Sequence, residues 1–96
     1  MNKKVIIKSI QDNLGEIKGY GIKRIGIFGS FVRSTQDAKS DIDVLAEFYP
    51  NQKTFDNYME LKFFLESILH RKVDLVIKEA VKPRIKPYIL NEVLYA

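Results

Sequence analysis

Between residues 41 and 48 the chain alternates with a period of two. Ile42, Val44, Ala46 and Phe48 fall on one side, and Asp41 and Asp43 fall together on the other. That pattern describes a half-buried strand with two carboxylates about 6–7 Å apart along its polar face. Such a strand needs neighbours and a covering layer, and the rest of the chain offers both. Ile22, Ile25, Ile27 and Phe28 predict an earlier strand ending at Gly29-Ser30, and Lys72–Ile77 predicts a later one, apolar except for Asp74. Ile6, Ile10, Leu14 and Ile17 recur at helical spacing, predicting one helix over 2–18 that stops at Gly19-Tyr20-Gly21. Tyr58, Leu61, Leu65 and Ile68 predict a second long helix over 54–70. Residues 31–35 suit a brief helix, 36–40 and 50–53 suit loops, and Pro83 and Pro87 restrict the tail to a short helix starting near Pro87. The resulting order, α-β-α-β-α-β-α, describes a small α/β (α+β) fold with a mixed sheet and flanking helices.

Length and composition narrow the possibilities. Ninety-six residues, 46% hydrophobic and 29% charged, suit a single domain over 1–96 with a modest core. With no cysteine there is no disulfide, thiolate nucleophile or cysteine-held metal, and one histidine, His70, argues against a histidine-rich metal site. No signal peptide or membrane span is apparent, so a soluble, cytoplasmic protein is expected. The net charge of +4 sits at the ends: residues 1–24 hold six Lys or Arg against two acids, whereas 25–77 hold six against eight. Basic residues form no run longer than two and aromatics do not interleave with them, so nucleic acid is not the expected main partner.

Three features could carry chemistry. Gly29-Ser30 sits where a strand ends and a helix begins; glycine lets a phosphate approach the backbone, and free N–H groups and the serine hydroxyl can donate to it. Asp41 and Asp43 present the carboxylate oxygens that Mg²⁺ prefers alongside phosphate and water, although a lone Asp-x-Asp is more commonly a solvated strand face. Asp74 interrupts an apolar strand and needs a cation, a hydrogen-bond network or the sheet edge, unless it lies at the strand start facing water.

Taken together, Ile25–Arg33, Ser40–Val44 and Arg71–Val76 resemble the minimal nucleotidyltransferases of the DNA polymerase beta superfamily. The resemblance extends into Ile85–Tyr95 and covers residues 14–96. It implies a polymerase beta-like nucleotidyltransferase fold in which Asp41, Asp43 and Asp74 hold two Mg²⁺ ions. Gly29 and Ser30 would hold the β- and γ-phosphates of ATP, with Arg33 the nearest extra positive charge. Asp74 would also help deprotonate an acceptor hydroxyl. Many members carry glycine directly after this arginine, where this chain has Ser34. If that position takes φ > 0, serine costs about 1–2 kcal/mol there.

Relatives of this size are often paired with a HEPN-type toxin, which they neutralise as antitoxins by adenylylating a tyrosine. The resemblance thus implies AMP transfer to a partner protein in a hetero-complex. Two alternatives stand beside it: a catalytically idle interaction module that masks its partner sterically, and a transferase acting on a small molecule such as an aminoglycoside. His70 reads as a helix C-terminal residue suited to the dipole. Tyr58, Phe63, Phe64, Tyr88 and Tyr95 read as core or partner-facing packing, and Lys78, Lys82, Arg84 and Lys86 as a solvated basic face.

Overall fold

The computed structural model describes residues 1–96. Helix α1 (Lys3–Asp12) begins where the Asn2 side chain accepts the Val5 N–H at 3.0 Å, and it buries Ile6 and Ile10 completely. The helix expected over 2–18 is broken at Asn13. The side-chain amide of Asn13 donates to the Ser9 carbonyl at 2.7 Å and its backbone leaves helical geometry, at φ −117° and ψ 14°. A second helix, α2 (Leu14–Gly19), resumes and buries Ile17. Gly21, at φ 84°, then turns the chain into the first strand.

Strands β1 (Ile22–Phe28), β2 (Ile42–Phe48), β3 (Val73–Ile77) and β4 (Leu94–Tyr95) form one sheet in the order β3-β2-β1-β4. β2 runs antiparallel to β1 and parallel to β3, and β4 pairs antiparallel with the free edge of β1. Ile42, Val44, Ala46 and Phe48 of β2 are all buried as expected, but the alternation is broken at Leu45, which is buried on the opposite face. They join Ile22, Ile25 and Ile27 of β1 and Val73 and Leu75 of β3 in one core cluster with the apolar sides of the helices. Each fully buried Ile or Leu contributes roughly 1.5–3 kcal/mol of transfer free energy.

Helix α3 (Ser30–Arg33) is a single turn pinned by Phe31, which is buried in that core. Helix α4 (Phe55–Leu69) starts at Thr54, whose hydroxyl accepts the Asn57 N–H at 3.1 Å, and it buries Leu61, Leu65 and Leu69. Two polar contacts tie α4 to the outermost strand. The Tyr58 hydroxyl donates to the Leu75 carbonyl at 2.8 Å, and the Glu66 carboxylate accepts the Val73 N–H at 3.0 Å. These occupy backbone groups at the start and middle of β3, an edge strand.

The tail carries a 3₁₀ turn (Lys78–Ala80) and helix α5 (Lys86–Glu92), with Pro87 in its first turn as expected. The strand that follows, β4, has no counterpart in the sequence-based reading. It pairs Leu94 with Ile27 and Tyr95 with Gly26. Gly26 makes this possible, because a Cβ there would lie 2.6 Å from the Leu94 carbonyl oxygen. The Arg24 guanidinium stacks over the Tyr95 ring, 3.5 Å from its centroid. No helix is long and apolar enough to cross a membrane.

Candidate active site

Sheet topology gathers the candidate residues at one end. Because β1 runs opposite to β2 and β3, the end of β1 lies beside the beginnings of both. Phe28 is the cross-strand partner of Asp43, and Asp43 is the partner of Asp74. The neighbouring pair Ile42 and Val73 points into the core, so Asp43 and Asp74 share the opposite face by the strand period. Asp41 lies immediately before β2 on that same face and is exposed, while Asp43 is half-buried. Asp74 is exposed near the start of β3, an edge strand, and its side chain hydrogen-bonds with that of Asp43.

Gly29 closes the other side of Asp43. It takes φ 80° and ψ −153°, a conformation that L side chains rarely adopt, and a Cβ at this position would run into the Asp43 carboxylate. Its carbonyl accepts the N–H groups of Val32 and Arg33 at 3.0 and 3.1 Å, which winds the chain directly into α3. Ser30 is the first residue of that turn, and its carbonyl accepts the Thr35 N–H at 2.9 Å.

The carboxylates act on one another. Asp43 is raised from 3.8 to about 6, mainly by burial, then by the charges of Asp74 and Asp41 and a hydrogen bond with the Asp74 side chain. Arg33 opposes the shift. Burial and two neighbouring acids thus both disfavour the Asp43 charge, and a cation beside it would offset both. Asp41, Asp43 and Asp74 supply only hard oxygen donors, the chemistry that suits Mg²⁺. No three acidic or histidine side chains close into a complete cage.

Arg33 has a partner in the tail of the chain. Its Nη1 donates to Oε1 of Glu92, at the end of α5, across 2.6 Å. Nothing in the sequence signals this pair, whose members stand 59 positions apart. Ser34 does occupy the left-handed region, at φ 60° and ψ 35°, so the departure from glycine falls where it carries a conformational cost. On its far side Asp41 borders a polar hollow shared with Lys39, His70, Arg71 and Lys72. Arg71 is fixed there by donating to the Ser40 carbonyl at 2.9 Å and lies over the Phe31 ring. His70 ends α4 in the left-handed conformation, φ 54°. The main apolar groove, between Phe55, Tyr58, Leu75 and Ile77, contains none of the carboxylates.

The chain as a whole is similar to known proteins. The model of the nucleotidyltransferase domain family matches residues 5–96. A Methanocaldococcus jannaschii chain provisionally named a protein adenylyltransferase is 47% identical over 77 residues, covering 79% of this chain and 78% of its own length. The protein adenylyltransferase MntA of Thermococcus cleftensis is 38% identical over 76 residues, 79% of this chain and 76% of that one. A solved structure provisionally described as a minimal nucleotidyltransferase superposes with a TM-score of 0.84 at 28% identity, covering 98% of this chain and 95% of that chain. A chain from a toxin–antitoxin structure with AMP-PNP superposes at 0.69 with 26% identity, covering 99% of this chain and 72% of that one. The mixed sheet with its flanking helices is the minimal nucleotidyltransferase fold. With the family model spanning nearly the whole chain, this protein belongs to the nucleotidyltransferase domain family and is a nucleotidyltransferase.

Proposed function

We propose that this chain transfers AMP from Mg²⁺-bound ATP to a hydroxyl group, a tyrosine on a helical partner toxin of the HEPN type, and thereby serves as the toxin's antitoxin. The observation that carries this reading is the register placing Asp43 against Asp74 on β2 and β3, with Asp41 just ahead and Gly29 packed on Asp43. Support for a protein acceptor comes from relatives named protein adenylyltransferases, and for ATP and a toxin partner from the related toxin–antitoxin structure with AMP-PNP.

Asp41, Asp43 and Asp74 are the residues that would hold Mg²⁺. The metal, when bound, neutralises charge on the triphosphate and on the attacking and leaving oxygens of an in-line displacement at the α-phosphorus. Gly29 and Ser30 present a backbone without a side-chain barrier and a hydroxyl toward the β- and γ-phosphates. Arg33 offers guanidinium N–H groups to the same phosphates. Asp74, the more exposed member of the facing pair, would take the proton of an incoming hydroxyl. The bond formed joins the acceptor oxygen to the α-phosphorus, the bond broken joins that phosphorus to the β-phosphate bridging oxygen, and pyrophosphate leaves.

Intact-mass analysis of a co-expressed HEPN-type partner tests this reading. AMP-sized increments mapping to a tyrosine, and absent when Asp41 and Asp43 are replaced by alanine, are expected. A partner held and silenced equally well by the double variant, with no increment in either case, would replace it with steric masking.

A further inference from the structure

We propose that Glu92 is a positioning residue for the transfer reaction, holding the Arg33 guanidinium toward the phosphates of the nucleotide; this rests on the reading above that a triphosphate binds beside Asp43. Arg33 stands at the last position of a one-turn helix, directly before a residue in the left-handed conformation, with its side chain 57% exposed. A long side chain on such a short platform has wide rotamer freedom unless something fixes its head. Glu92 does so at 2.6 Å, and its own side chain is only 20% exposed.

The tail is built to deliver that carboxylate. Glu92 is the last residue of α5, and β4 begins two positions later. Leu94 and Tyr95 register against Ile27 and Gly26, and the Ala96 N–H donates to the Ile25 carbonyl at 3.0 Å. This anchoring lies on β1 within a few residues of Gly29, which sets Glu92 near the same end of the sheet as the acids. The Arg33 N–H donates to the Gly29 carbonyl at 3.1 Å, so the turn that carries this side chain starts at the residue packed on Asp43.

The pair contributes at most about 1 kcal/mol to stability, since Arg33 is exposed. Its chemistry favours aiming. An arginine has five N–H donors, and one of them is committed to Glu92, leaving the rest of the planar fork for phosphate oxygens. Fixing the fork before the ligand arrives removes part of the ordering cost of binding.

The test is a double-variant cycle on the full chain, reading the Kd of Mg²⁺-ATP and, with the partner present, kcat and KM separately. Glu92→Ala is expected to weaken ATP binding by about 2- to 5-fold, the most that an exposed ion pair can hold in place, with Arg33→Ala at least as severe. In an Arg33→Ala background, Glu92→Ala adds nothing further, a non-additivity that a merely structural tail contact would not produce. Glu92→Gln keeps an acceptor without the charge and falls between, and it carries the test if the alanine variant fails to fold. Effects that multiply, an unchanged Kd, or tighter binding from Glu92 competing with phosphate would each overturn the proposal. Absence of ATP binding by the unaltered chain would overturn the functional reading itself, and this inference with it.

Discussion

Gly29 and Asp43 are fitted to one another: the backbone of the first, held at positive φ, occupies the space where any side chain would strike the carboxylate of the second. The contact couples the loop that leaves β1 to the acid that enters β2. Two separate demands, a left-handed conformation and a missing Cβ, therefore fall on one residue.

Gly29→Ala should fail on both counts. The backbone cost is about 1–2 kcal/mol, and the Asp43 carboxylate must shift, which at a reacting centre is enough to cost about 100-fold in rate. Gly15→Ala is the control, because nothing lies within 4 Å of a Cβ there and the residue sits in helix α2. That change should stabilise the chain by up to about 1 kcal/mol and leave transfer unchanged. Steady-state rates and denaturant midpoints on both variants separate the two effects.

The second expectation concerns pH. Asp43 titrates near 6 in the folded chain against 3.8 ordinarily, so the native state binds a proton that the unfolded state has already released. Stability of the metal-free protein therefore falls as pH rises from about 4 to about 6, and the full penalty persists above that. Asp43→Asn removes the penalty. In EDTA it should be more stable than the parent at about pH 7.5, by about 1–2 kcal/mol once solvent screening is discounted, and indistinguishable near pH 4. Denaturant titrations at the two pH values measure this, and transfer activity is lost in the same variant.

Much of this site was legible in the chain. The period-two alternation after Asp41 put both carboxylates on one face because a half-buried strand leaves no other choice, and Gly29-Ser30 marked a strand end on local chemistry alone. The break at Asn13 was not legible: it turns on one side-chain amide competing for the Ser9 carbonyl inside an otherwise unbroken apolar period. Strand β4 was invisible because two residues carry no periodicity, and it exists only because Gly26 leaves room for it. The Arg33–Glu92 pair depends on that strand and was hidden for the same reason.

Ser34 and His70 give a third expectation. Both hold the left-handed conformation without being glycine, at φ 60° and 54°. Replacing either by glycine relieves that strain and should raise stability by about 0.5–1 kcal/mol, or several degrees in Tm. The two differ in place. His70→Gly ends α4 as helices commonly end, whereas Ser34→Gly frees the residue after Arg33 and is expected to raise the KM for ATP modestly while Tm rises. Thermal melts paired with ATP titrations distinguish them.

The most direct measurement incubates the chain, bound to its partner, with Mg²⁺ and ATP labelled at either the α- or the γ-phosphate. The parallel sample is the Asp41→Ala, Asp43→Ala double variant, shown to be folded. Label on the partner protein from the α-position only, lost in the double variant, is the result expected if Asp41, Asp43 and Asp74 form a nucleotidyl-transfer site. Label from the γ-position, or no variant-sensitive label on protein while the complex is intact and ATP remains, would contradict it.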